Sequence, residues 1–181
     1  MTRARLVARG GPSHRLDVRR GLRANGARTL VDDALRSQVL DYLGRHNVMT
    51  LATVGPEGPW AAAVFYVHRE LRLYFLSSPA SRHCENLAAN PRVAATIQED
   101  YRDWPEIKGI QLAGHVAPVE DAELASVRAL YGAKFPVVGK IAGAPPAVVA
   151  ALAKVRWYAL TPDALYFVDN SAGFGHRSRL I

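Results

Sequence analysis

The stretch Leu76-Ser77-Ser78-Pro79-Ala80-Ser81-Arg82-His83 gathers three hydroxyls, a guanidinium and an imidazole on one short piece of chain. It follows an alternating apolar run, so it falls where a strand gives way to a helix. Such a junction offers free backbone N–H groups and the positive end of a helix dipole, and both favour an anion. Ser77, Ser78 and Ser81 add hydroxyl donors. Arg82 adds a fork that grips two oxygens at once, and His83 a further donor. A terminal phosphate dianion is what this set suits. Serine caps are common, so chemistry alone leaves that reading level with a plain capped helix carrying an exposed Arg-His pair.

Other motifs fail on spacing. Gly132 and Gly139-Lys140 are too far apart for a phosphate loop, and Ile141 stands where a magnesium-holding Ser or Thr belongs. No G-x-S-x-G elbow occurs. His14, His46, His68, His83, His115 and His176 show no paired-ligand spacing, so no metal site is expected. Asp100 and Asp103 lack a glycine-centred calcium loop. The single cysteine, Cys84, cannot form an intramolecular disulfide, which fits a reducing cytoplasm.

The formal charge of +7 is not spread over the chain. Residues 1–28 hold eight arginines and one acid, Asp17, and the remaining fifteen basic and fifteen acidic residues cancel. The folded body is therefore expected to be residues 29–181, electrically neutral, behind a basic, flexible extension over 1–28. That extension reads as a solvated tail ahead of a polyanion tether or a targeting segment, which argues against nucleic acid as a partner. The longest apolar run, Ile141 to Ala153, is short and holds Pro145 and Pro146, so no membrane span is expected.

The elements that must position the Ser-Arg-His stretch follow from periodicity. Asp32 or Asp33 can cap a helix with Leu35, Val39, Tyr42 and Leu43 on one face. Val48 to Val54 alternates and meets the turn Gly55-Pro56-Glu57-Gly58. Trp60 to Val67 is continuously apolar, which predicts cover on both faces. Leu71 to Leu76 forms a third strand, and the short connections make all three antiparallel. A helix is predicted to start at Ser78-Pro79 and stop at Asn90-Pro91. Strands follow at Val93 to Gln98 and Ile107 to Val119, the latter with Gln111, Ala113 and His115 on one face and Ile110, Leu112 and Val116 on the other. A helix capped by Asp121 carries Leu124, Val127, Leu130 and Tyr131 and ends at Pro136. A short Ala-rich helix is expected near Pro145 to Lys154. Two closing strands, Arg156 to Leu160 and Ala164 to Val168, are expected to turn at Thr161-Pro162-Asp163. The fold class is mainly β with short helices (α+β), a small antiparallel barrel.

The order Leu73-Tyr74-Phe75-Leu76-Ser77, Ser81-Arg82-His83, Asn86-Leu87 and Asn90-Pro91-Arg92-Val93-Ala94 resembles the FMN-binding split-barrel family of pyridoxamine 5′-phosphate oxidase-like proteins. Ile107 to Gly114 fits the family's later strand with its Gln. Further fragments resemble one uncharacterised bacterial branch of that superfamily: Ala63-Val64-Phe65-Tyr66, Lys134-Phe135-Pro136-Val137, Phe167-Val168-Asp169-Asn170 and Gly173-Phe174-Gly175. The resemblance implies an antiparallel split β-barrel and a homodimer with the cofactor at the subunit interface. It implies that Ser77, Ser78, Ser81, Arg82 and His83 hold the flavin phosphate. Backbone from Ala63, Val64, Phe65 and Tyr66 would line the ring, and Gln111 would hydrogen-bond to it.

The sequence departs from the oxidases at three places. His83 stands where they carry Lys, their basic residues are absent from Ala63 to Tyr66, and their vitamin-binding and carboxy-terminal Trp and Arg signatures have no match. The expectation is therefore an FMN-dependent oxidoreductase acting on an unnamed small molecule. His115, Asn170, Phe174 and His176 are candidate substrate contacts, and no catalytic acid or base stands out; Tyr66, also near the expected pocket, is a weak candidate. Two alternatives stay open. One is a haem-binding or haem-handling protein, with His115 or His176 as axial ligand. The other is a non-enzymatic flavin-binding dimer. A deazaflavin relative in place of FMN also stays open. Trp104 and Trp157 are expected as core or interface anchors, and Cys84 as a buried helix residue.

Overall fold

The computed structural model describes residues 18–136, 150 and 153–181, with side chains described from residue 32 onward. Elements α1 (Val18–Arg45), β1 (Val48–Gly55), β2 (Gly58–Arg69), β3 (Arg72–Ser77) and α2 (Arg82–Ala89) lead into β4 (Arg92–Gln98), β5 (Lys108–Pro118), α3 (Asp121–Lys134), β6 (Arg156–Asp169) and β7 (Arg177–Arg179). The strands run in the order β3-β2-β1-β4-β5-β6-β7, and a β3–β6 pairing closes the first six into an antiparallel barrel. The split-barrel expectation therefore stands.

Alternation explains the barrel. Along β1 the buried residues are Met49, Leu51 and Thr53, and along β4 Val93, Ala95 and Ile97. On β5, Ile110, Leu112 and Val116 are buried while Gln111 and His115 face out. α1 lays Val39, Tyr42 and Leu43 into the same core. Each such apolar side chain, fully buried, contributes about 1.5–3 kcal/mol. A second small cluster, Val67, Tyr74, Val127, Tyr131 and Ala159, seats α3 on the barrel wall.

Four expectations need correction. The first helix does not begin at Asp32 or Asp33 but at Val18, inside the basic segment, because Arg and Ala are good helix formers and no proline interrupts them. The second helix begins at Arg82, since Ser78 to Ser81 close a turn first, with Ser81 N–H donating to the Ser78 carbonyl at 3.0 Å. Asp121 is the first residue of α3 rather than its cap, which is Glu120. Arg156 to Val168 is not two strands about a turn. It is the single strand β6, in which Asp163 is a bulge: Ala113 pairs with Ala164 and Gly114 with Pro162. A Cβ on Gly114 would lie 2.3 Å from the Thr161 carbonyl oxygen, so the bulge demands glycine opposite it. Most of the Ala-rich helix expected near residues 145–154 and most of the 1–28 extension lie outside the described residues.

The continuous apolar run on β2 is not covered on both sides. Val64, Tyr66 and Val67 are buried, but Ala61, Ala63 and Phe65 are exposed, Phe65 at 56%. Register shows what lies beside them. Ala61 pairs with Ala52, Ala52 with Ala94, Ala94 with Ala113, and Ala113 with Ala164. Five alanines thus form one row across five strands on the outside of the barrel. Ala52, Ala61 and Ala94 are exposed along it, and Ala113 and Ala164 are partly so. A parallel row runs Ala63, Thr50, Thr96, Gln111 and Tyr166.

Candidate functional site

The corner where β3 runs into α2 collects the residues expected to hold a phosphate. Ser77 Oγ lies 2.7 Å from His83 Nε2, and Ser81 Oγ lies 3.2 Å from both Ser77 Oγ and His83 Nε2. Ser81 donates to the Ser78 carbonyl at 2.7 Å and makes no side-chain capping bond to the helix. The amides of the first turn of α2 are therefore left for another acceptor. Ser78 accepts from the Ala80 amide at 3.3 Å, outside this cluster. His83 is 8% exposed, so its imidazole is a nearly buried donor or acceptor whose tautomer sets its role.

Cys84 is buried next to it, as expected. Burial raises its thiol, but the neighbouring polar groups of His83, Ser81, Tyr158 and Ser77 outweigh that and bring it down to about 7. Tyr158 is pushed up to about 12 by burial and by Cys84. The same hydroxyls and imidazole that lower the thiol are donors an anion could use. The donors present fit a phosphate.

The corner is pinned from below by contacts not read from the sequence. Asn86 Nδ2 donates to Thr53 Oγ1 at 3.1 Å, both buried, and ties α2 to β1. Gly55 leaves the space this needs, because a Cβ there would fall 1.8 Å from Asn86 Oδ1.

Arg82 lies beside the corner but is engaged elsewhere. Its Nη2 donates to the Glu57 carbonyl at 3.2 Å, its Nη1 is 3.4 Å from Glu57 Oε2, and its Cζ sits 4.4 Å over the Trp60 ring. Glu57 and Trp60 belong to the β1–β2 hairpin, and no local spacing links them to position 82.

The remaining candidates divide. Ala63, Phe65, Gln111 and His115 share the open outer face, whereas the Val64 and Tyr66 side chains point inward. About three strand spacings, roughly 14 Å, separate Ala63 from Gln111. Tyr66 donates to the Leu43 carbonyl at 2.9 Å, and burial pushes its hydroxyl well above the usual tyrosine range, so it is no pocket acid. His115 Nδ1 lies 3.4 Å from Asp163 on the bulge, which also meets Arg92 at 3.1 Å. Asn170 is buried, donates to the Trp104 carbonyl at 2.9 Å and accepts from the Gly175 amide at 3.1 Å. Its amide is spent on holding the C-terminal loop. That loop presents Phe174, 84% exposed, against an exposed Trp104 at 5.6 Å, so Trp104 is no core anchor, whereas Trp157 packs edge-on against Tyr131. His176 Nε2 meets Ser178 at 3.3 Å, and Arg177 donates to Gln111 Oε1 at 3.4 Å. Lys134, half-buried, donates to the His46 carbonyl at the end of α1, and burial lowers its ammonium pKa. Among the described residues there is no group of His, Cys, Asp and Glu that could hold a metal ion, and no helix long and apolar enough to cross a membrane.

Known proteins agree with this architecture. A UPF0306 protein of Photorhabdus laumondii is 33% identical over 138 residues, covering 75% of this chain and 88% of the relative. A candidate pyridoxamine 5′-phosphate oxidase from Listeria innocua superposes with a TM-score of 0.58 at 20% identity, over 74% of this chain and 97% of that one. HutZ, a haem storage protein from Vibrio cholerae, superposes with a TM-score of 0.58 at 23% identity, over 72% and 92%. At these identities the two structures speak to fold alone. Residues 35–169 match the family described as pyridoxamine 5′-phosphate oxidase, and the chain belongs to that family.

Proposed function

We propose that this protein binds flavin mononucleotide as a homodimer and uses it to exchange hydride with a small molecule. The observation that carries the reading is the corner at β3 and α2. Ser77, Ser81 and the buried His83 converge there beside uncapped helix amides, with Arg82 the first residue of the same helix. The alanine row supports the second half of the reading. A smooth, apolar, uncovered sheet face is where a flat ring and a second copy can both lie. Gln111 and the backbone of Ala63 are too far apart to be neighbours within one chain, which favours a ring laid across the face or shared between copies. When bound, the flavin supplies hydride exchange at its N5. The corner would hold the phosphate, Ala63 and Gln111 would meet the ring, and pairing of the two faces would exclude water.

A haem ligand is the second reading, favoured by His115, which stands exposed on the same open face. Pure protein decides between them. Release and mass analysis of any bound small molecule, with an absorption spectrum, should give two flavin bands and FMN. One intense Soret-like band sinks the flavin reading. Titration should also show FMN binding more tightly than riboflavin, which lacks the phosphate. Equal affinity would place the phosphate somewhere other than this corner.

A further inference from the structure

We infer that Glu57 is an internal competitor for the phosphate: the tip of the β1–β2 hairpin holds Arg82 away from the β3–α2 corner until a ligand phosphate displaces it. The inference rests on the proposed phosphate site and adds a control to it. Arg82 is the first residue of α2 and sits next to Ser81 and His83 in the chain. Yet its guanidinium is turned across to the hairpin, where it has three contacts. These are the Glu57 carbonyl at 3.2 Å, the Glu57 carboxylate at 3.4 Å and the Trp60 ring at 4.4 Å.

A carboxylate and a phosphate compete for the same guanidinium fork. Glu57 is 80% exposed and the Arg82 side chain 33%, so the pair is solvated and weak. Weakness is what a releasable catch needs. It is strong enough to bias the guanidinium and not so strong that a dianion with further donors fails to win. Trp60 keeps the flat guanidinium parked in a defined position, so its release is a switch between two places and not a loss of order. The hydroxyl–imidazole cluster holds together without Arg82, because Ser77, Ser81 and His83 lie within hydrogen-bond distance of one another. Arrival of phosphate therefore exchanges two sets of contacts at once: Glu57 gives up Arg82, and the hydroxyl–imidazole cluster opens.

The test is a double-mutant cycle read by FMN and riboflavin titration on the full chain. Glu57→Gln should tighten FMN binding by roughly two- to five-fold, the range of an exposed ion pair, and leave riboflavin unchanged. In an Arg82→Ala background the same substitution should change nothing. Unchanged FMN affinity in Glu57→Gln overturns the catch while leaving the phosphate site standing. So does tightening that persists without Arg82, because it is then a plain charge effect. If the native chain does not prefer FMN to riboflavin, the site and the catch fall together.

Discussion

The β3–α2 corner and the alanine face solve opposite problems. The corner is polar and closed. Ser77, Ser81 and His83 satisfy one another, and Asn86 is bonded to Thr53 beneath them. The face is apolar and open, with Ala52, Ala61 and Ala94 exposed along one row. A chain can finish a polar cluster by itself, since hydrogen bonds need only a few atoms at the right angle. An outward sheet face is different, because it is left to water unless another surface of similar extent meets it. The lesson is that polar closure is settled by a few local atoms, whereas an apolar row is a matter of area.

The largest effect is expected at the face. Ala52 lies second in the row, paired with both Ala61 and Ala94. In the proposed homodimer, Ala52→Glu would bury an unpaired charge on this face, and should raise the dimer dissociation constant by about 100-fold or more, several kcal/mol. Light scattering should then report a monomer with an unchanged far-ultraviolet dichroism spectrum. A variant that remains dimeric moves the interface elsewhere.

Next comes Gly55→Ala under the corner. The new methyl meets the Asn86 amide, which is buried and bonded, so the cost should be about 2–3 kcal/mol of unfolding free energy. Chemical denaturation measures it, and a loss below 0.5 kcal/mol, roughly the level of a harmless surface change, says α2 shifts freely. Arg82→Ala should weaken FMN by about 1.5–3 kcal/mol, as for a hydrogen bond to a charged group. Calorimetry that finds the affinity unaltered would detach the corner from the phosphate.

The smallest effect is on acid stability at Asp169. Burial raises its carboxyl, but hydrogen bonds from Ser171 and the charge of Lys108 lower it more, leaving it below the usual value. A depressed carboxyl contributes stability at neutral pH that is lost as pH falls through the carboxylate range. Asp169→Asn should flatten the acid limb of a stability–pH curve while leaving the Ala52 and Gly55 effects intact.

Much of the fold was legible because the signals are local. The Gly55-Pro56-Glu57-Gly58 turn, the alternation on β5 and the Asn90-Pro91 stop each depend on a few neighbouring residues. The seam at Thr161-Pro162-Asp163 misled because its residues have turn chemistry, while long-range pairing with His115 and Gly114 keeps the strand running. The corner was legible as a set of donors, but the posture of Arg82 was not. Glu57 lies 25 positions away, and only the closure of β1 on β2 brings it near. The alanine row was also hidden. Its five members are scattered from position 52 to 164 and become a surface only once register is known.

β6 spends one edge on two neighbours. From Arg156 to Leu160 that edge is paired with β3, and from Tyr166 to Val168 with the three-residue β7. The terminal strand is therefore a stopper on a seam that the barrel leaves unzipped. A chain shortened before Arg177 would keep its six-stranded closure and still bare a run of amides and carbonyls, the kind of raw border along which molecules stitch into aggregates.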